Sequence, residues 1–182
     1  MIVNPDTGLL DVAQQIHSPN FDDRPEETPA DLVVIHNISL PPGEFGGPWI
    51  NDLFTNQLNP DTHPYFKEIH SLKVSAHILI RRDGSIVQYV PFHKRAWHAG
   101  QSNYCGRNRC NDFSIGIELE GTDDQPFDER QYQQLALLIK ALLQAYPRLS
   151  NDHITGHSDI APGRKTDPGP HFDWQKLHRL LA

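Results

Sequence analysis

This sequence predicts an α/β fold, a single domain with a mixed central β-sheet flanked by helices. Two observations carry the prediction. Short apolar runs rich in β-branched residues interleave with segments of helical period. The central runs are apolar enough to be covered on both faces, as sheet strands under two helical layers are. The chain has 182 residues, the size of one domain, taken as 1–182, with no linker or internal repeat.

In chain order, "DLVVIHN" at 31–37 reads as a buried strand that delivers His36 at its end. The proline- and glycine-marked excursion from Pro41 to Lys73 has room for one or two short helices, a form that lids and substrate walls take. "VSAHILIRRDGSIVQYV" at 74–90 reads as two strands turning at Asp83-Gly84. In "FSIGIELEG" at 113–121, Ile115, Ile117 and Leu119 share one face, and Gly116, Glu118 and Glu120 the other. The clearest helix follows. Asp128 and Gln131 fit a capping box, Tyr132, Leu135, Ile139, Leu142 and Tyr146 recur at helical spacing, and Pro147 stops it. "HITGH" at 153–157 is a further strand, and a second helix starts near Asp173 with Trp174, Leu177 and Leu181 inward.

Composition bounds the function. Hydrophobic residues make up 37%, enough for one core and against disorder. A net charge of -7 argues against nucleic acid and anionic membranes as partners. No apolar run approaches the roughly 20 residues of a membrane span. The N-terminus lacks the basic start and apolar core of a signal peptide. Two cysteines, Cys105 and Cys110, are too few for a disulfide scaffold, so a reduced cytoplasmic protein is expected.

Eleven histidines permit a metal site. Hydrolytic zinc commonly takes three protein ligands and keeps a fourth place for water. The helical HExxH pattern is absent, so such a site must be gathered from distant positions. His36 and His157 each follow an apolar strand, where α/β folds place their sites. For His36, the competing reading is a half-buried histidine bonded to backbone. Asp159 and Asp167 both follow His157. Asp159 suits a turn acceptor, and residue types alone do not choose Asp167. Glu118, mid-strand between Ile117 and Leu119, is costly to bury without a partner or a task, and suits a general base. Glu120 reads as a solvated rim residue, and His77 as a satisfied core group. Lys165, two residues before Asp167, is either an oxyanion-stabilising cation or a surface lysine. The basic stretch "KRAWHAGQSNYCGRNRC" reads as a loop for an anionic glycan or peptide.

Five blocks, "VVIHNISLPPGEFGG", "VSAHILIRRDG", "YVPFHKRAWHAG", "CNDFSIGIELEGT" and "GHSDIAPGRKTDPGPHFDW", together resemble one family across residues 20 to 178. It is the cytoplasmic zinc amidases that act on 1,6-anhydro-N-acetylmuramyl-L-alanine in cell-wall recycling, relatives of phage lysozyme amidases and peptidoglycan-recognition proteins. The resemblance implies one Zn2+ per chain held by His36, His157 and Asp167. It implies Glu118 as catalytic acid–base, Lys165 as oxyanion stabiliser, and Asn37, Trp97 and Arg109 as substrate contacts. Lys73 stands where close relatives carry arginine. Where many relatives place a tyrosine near the metal, this chain has Phe45 and Trp49. A small anhydro-muropeptide as substrate and a monomeric state complete the expectation.

Overall fold

In the computed structural model, which describes residues 1–182, six strands form the central sheet. They are β1 (Gln14–Gln15), β2 (Leu32–Ile38), β3 (Ile78–Ile80), β4 (Ile86–Gln88), β5 (Ser114–Glu120) and β6 (Ile154–Gly156). Their spatial order is β6-β2-β5-β3-β4-β1. All neighbours run parallel except β3 and β4, the hairpin, so the sheet is mixed as expected. Three two-stranded ladders lie at the periphery.

Alternation along β2 and β5 sorts the two layers. Val33 and Ile35 of β2 face the same core as Ile115, Ile117 and Leu119 of β5. That core is closed by helices α3 (Glu129–Ala145) and α5 (Trp174–Leu181) through Leu135, Ile139, Leu142, Leu177 and Leu181. On the other face, Leu79 and Val87 pack under the excursion, which forms helices α1 (Trp49–Phe54) and α2 (Phe66–Ile69). Leu32 and Val34 pack on Ala99, Cys110, Phe113 and Ile160. Both faces of the central strands are thus covered, which is why their sequences read as nearly continuous apolar runs. No helix is long and apolar enough to cross a membrane.

The hairpin differs in detail from its expected form. Its strands are shorter, because Ser75 turns aside to bond the Trp97 carbonyl (3.1 Å). Its turn is not the two-residue kind. Gly84 N donates to Arg81 O and Arg81 N to Ser85 O, both at 2.9 Å, with Gly84 at φ 84°. This is a three-residue loop ending in a left-handed glycine bulge.

The capping box of α3 is present. Arg130 N donates to Asp128 Oδ1 and Asp128 N to Gln131 Oε1, both at 3.0 Å. Gln131 is fully buried, and its amide also donates to Ile80 O (3.1 Å) and Glu120 O (3.0 Å), so the helix start is bolted to the ends of β3 and β5. Gln131→Ala strands these carbonyls and costs about 1–3 kcal/mol. A urea unfolding series should show a lower midpoint at unchanged slope.

Candidate metal centre and active site

The parallel register brings the chemistry together. His36 on β2 and Glu118 on β5 are paired neighbours, each fifth in a seven-residue strand and on the same face. His36 therefore lies two residues before the strand end, rather than at it. Next to β2, β6 ends at Gly156, and His157 opens the short helix α4 (His157–Ile160). Asp159 Oδ2 accepts from Gly156 N (2.9 Å) and Thr155 Oγ1 (3.1 Å), the turn role expected of it. The chain beyond α4 folds back because Ser158 N donates to Asp167 O at 2.9 Å. That bond swings the Asp167 side chain over both imidazoles.

Three side-chain atoms then meet. His36 Nδ1, His157 Nδ1 and Asp167 Oδ2 lie 3.0 Å from one another in every pair. His36 and His157 are almost fully buried. Burial holds the His36 imidazole down at about 4, so it is neutral at pH 7. Each histidine also turns its other nitrogen outward to a partner. His157 Nε2 lies 3.1 Å from the Ala99 carbonyl, which can only accept, so this nitrogen carries the proton. His36 Nε2 lies 2.9 Å from His98 Nδ1. With His36 in the matching tautomer, lone pairs and a carboxylate face each other across 3.0 Å, an arrangement that a bound cation makes favourable. Two imidazoles and one carboxylate are a hydrolytic zinc donor set, and the spacing suits ligands about 2 Å from one ion. The residues present fit zinc.

Glu118 is almost fully buried beside this cluster, and its Oε2 has no hydrogen-bond partner. Burial, then the Asp167 charge, pushes its carboxyl well above the usual range, with Lys165 opposing. A carboxyl so placed is a ready proton acceptor for whatever occupies the cleft. Glu120 is otherwise. Expected on a solvated rim, it is 2% exposed, accepts from Gly46 N (2.7 Å) and Arg82 N (3.2 Å), and pairs with Arg81 (3.4 Å). The excursion folds over the end of β5 and covers it, so Glu120 is a structural clamp.

A cleft of about 360 Å³ opens onto these groups. His36, Asn37, Trp97, Glu118, His157, Lys165 and Asp167 all line it. Its far wall is apolar: Leu53, Phe54, Tyr65, Ile69 and Leu72 from the excursion, with Val74. The Asn37 amide nitrogen donates to Asp123 Oδ1 (2.7 Å) and Pro168 O (3.0 Å), so its carbonyl oxygen is the group left for a ligand. Lys73 is exposed, between Leu72 and Val74, and does not line the cleft. Arg109 also stands outside it, its side chain 70% exposed and paired with Asp112 at 3.2 Å.

The basic stretch is not a free cationic loop. Lys94 pairs with Asp23, Arg95 with Asp22 (2.7 Å) and Asp112 (2.6 Å), and Arg107 with Asp31 (2.8 Å) while lying over the Phe113 ring. The pairing of Phe21–Asp23 with Lys94–Ala96 delivers two of these aspartates, which spends the charge internally. Trp97 still faces the cleft. His77 is the satisfied core histidine expected, accepting from Gly116 N (3.0 Å) and meeting Lys94 O (3.0 Å). The apolar wall comes from the excursion read as a lid or substrate wall; the feature that escaped sequence reasoning is the seat of His98 against His36. A glycine inside β5, Gly116, was the available sign that something approaches that backbone closely.

Comparison with known proteins gives the family and the fold. The family model described as N-acetylmuramoyl-L-alanine amidase matches residues 26–170. A 1,6-anhydro-N-acetylmuramyl-L-alanine amidase, AmpD of Salmonella typhimurium (strain SL1344), is 62% identical over 178 residues, 98% of this chain and 95% of the relative. The crystal structure of a Se-Met AmpD derivative superposes with a TM-score of 0.96 at 58% identity, covering all of both chains. The complex of AmiD from E. coli with anhydro-N-acetylmuramic acid-L-Ala-D-gamma-Glu-L-Lys is 32% identical with a TM-score of 0.61, over 83% of this chain and 57% of that one.

Proposed function

The chain belongs to the N-acetylmuramoyl-L-alanine amidase family, and from that premise we propose a specific reaction for it. With one zinc ion per chain, it hydrolyses the amide joining the lactyl group of 1,6-anhydro-N-acetylmuramic acid to L-alanine of the stem peptide. The observation that carries this reading is the meeting of three inward donor atoms beside the orphaned Glu118 carboxyl in one cleft.

When bound, zinc supplies Lewis-acid polarisation of the scissile carbonyl and a nucleophilic water near neutral pH. Glu118 takes the proton released as water attacks, and returns it to the departing alanine nitrogen. Lys165, on the cleft wall, offsets charge developing on the carbonyl oxygen. Trp97 and the apolar wall give the sugar a dry, flat seat. Asn37 completes the inner contacts, and Lys73 and Arg109, as exposed cations, meet stem-peptide carboxylates. The cleft suits a small soluble anhydro-muropeptide. The reading is of a monomer working in the cytoplasm on recycled wall fragments; the acidic charge supports the absence of a nucleic acid or anionic membrane partner.

Mass analysis of products from a defined anhydro-muropeptide tests the reading. Expected are the anhydro sugar and free peptide, lost with a chelator and restored by zinc. Zinc-loaded protein that binds the substrate without cutting it would make this a muropeptide-binding module. Faster turnover of intact sacculi than of the soluble fragment would make it a wall amidase.

A further inference from the structure

His98 sits in a hydrogen-bonded chain whose direction can be read from one end. Ser114 Oγ lies 2.6 Å from the Cys110 carbonyl, which only accepts, so the hydroxyl donates there. The Ser114 oxygen is then free to accept from His98 Nε2 at 3.1 Å. A neutral imidazole carries one proton, and the Ser114 oxygen calls for it on Nε2. With that proton on Nε2, its Nδ1 is a bare acceptor 2.9 Å from His36 Nε2. His36 must supply the proton of that bond, which leaves its own Nδ1 bare toward Asp167 and His157.

The surroundings hold this chain in place. Asn111 Oδ1 accepts from the backbone N–H groups of both His98 (3.1 Å) and Ala99 (2.7 Å). The Ala99 carbonyl in turn meets His157 Nε2. A two-residue segment therefore fixes the outer nitrogens of both histidines, one by a side chain and one by a carbonyl. The His98 ring lies flat on bare backbone, since a Cβ on Gly116 would come within 2.4–2.6 Å of three of its ring atoms.

We propose that His98 is a positioning residue: it accepts the Nε2 proton of His36 and so holds His36 in the one tautomer able to ligate through Nδ1. The inference rests on the zinc reading above. Partners of this kind, behind a ligating histidine, typically govern metal affinity.

Zinc affinity of the purified chain, by competition with a chromophoric chelator, tests it with two substitutions. His98→Asn keeps an acceptor at the δ position. His98→Gln is nearer in size, but carries its polar head toward Ser114. Positioning predicts that the Gln variant binds zinc about 10–100-fold more weakly, while the Asn variant retains most of the parent's affinity. The visible spectrum of the cobalt-loaded protein should follow the same order, with Asn like the parent and Gln altered. Equal affinities in all three proteins, or Gln outperforming Asn as a pure packing role requires, would overturn the proposal. Should either variant fail to fold, Ser114→Ala carries the test: weaker zinc supports the chain, and unchanged zinc overturns it. A parent that binds no zinc would overturn the zinc reading itself.

Discussion

Glu118→Gln lowers kcat by about 10²–10⁴-fold, the usual contribution of a general base, and leaves zinc bound. Gln keeps the size and seat of the side chain on β5 and removes only its capacity to take a proton. The metal set loses nothing, since His36, His157 and Asp167 are contributed from elsewhere. Turnover of the anhydro-muropeptide beside zinc content by atomic absorption separates the two effects. Near-normal turnover would mean that another group is the base. The direction of the Glu118 shift adds a sign. Its carboxyl is raised in the folded chain by burial and the Asp167 charge. In the metal-free chain the ionised form therefore appears only at a pH above the ordinary carboxylate range. In the metal-free protein the same shift opposes folding. The folded state holds an extra proton, so stability falls as pH rises from the unfolded value of about 4.3 through the raised one. Metal-free Glu118→Gln lacks that cost, and at pH 8 it should melt higher than the metal-free parent.

Asp167→Ala abolishes turnover to the level of the chelated parent and weakens zinc by more than the ~10–100-fold lost with an outer partner. It removes one of three donor atoms and the only anionic one, so two neutral imidazoles remain. Asp159→Ala is the internal comparison. That carboxylate accepts from Gly156 N and Thr155 Oγ1 and touches neither imidazole in the hydrogen-bond network. Its loss should cost a helix start, on the order of 1 kcal/mol, with zinc stoichiometry unchanged. Chelator competition and thermal unfolding on the two variants give opposite patterns. Loss of metal in Asp159→Ala rather than Asp167→Ala would reverse the ligand assignment.

What the residues disclosed in advance follows the physics of each element. β2 was legible because both its faces are buried, which forces a run of apolar, β-branched residues, and β5 because its apolar residues alternate with Gly116, Glu118 and Glu120. The long helix α3 announced itself by its period, its cap and Pro147. By contrast β1 is two glutamines, defined only by pairing with β4, and no pattern marks it. His36 and His157 could be suspected because each follows an apolar strand. The choice of Asp167 over Asp159 could not be made from spacing. It depends on the Ser158–Asp167 backbone bond that folds the proline-rich loop back. Glu120 was misjudged because its cover comes from Gly46, some seventy residues earlier in the chain. His98 escaped for the same reason: its role exists only where Gly116 and Ser114 lie beneath its ring.

His157 and Asp167 are ten residues apart, but His36, which completes the three donor atoms, is 121 residues from His157 and 131 from Asp167. In an unfolded chain such groups meet rarely, since closing loops of this length is entropically costly. An ion therefore cannot gather the complete site early in folding, as it does in small domains whose ligands are all close neighbours. The parallel pairing of β6, β2 and β5, itself slow and non-local, has to come first. A metal held by these three donors would arrive at a finished sheet and act as a latch on it, stabilising the fold by mass action without directing its formation.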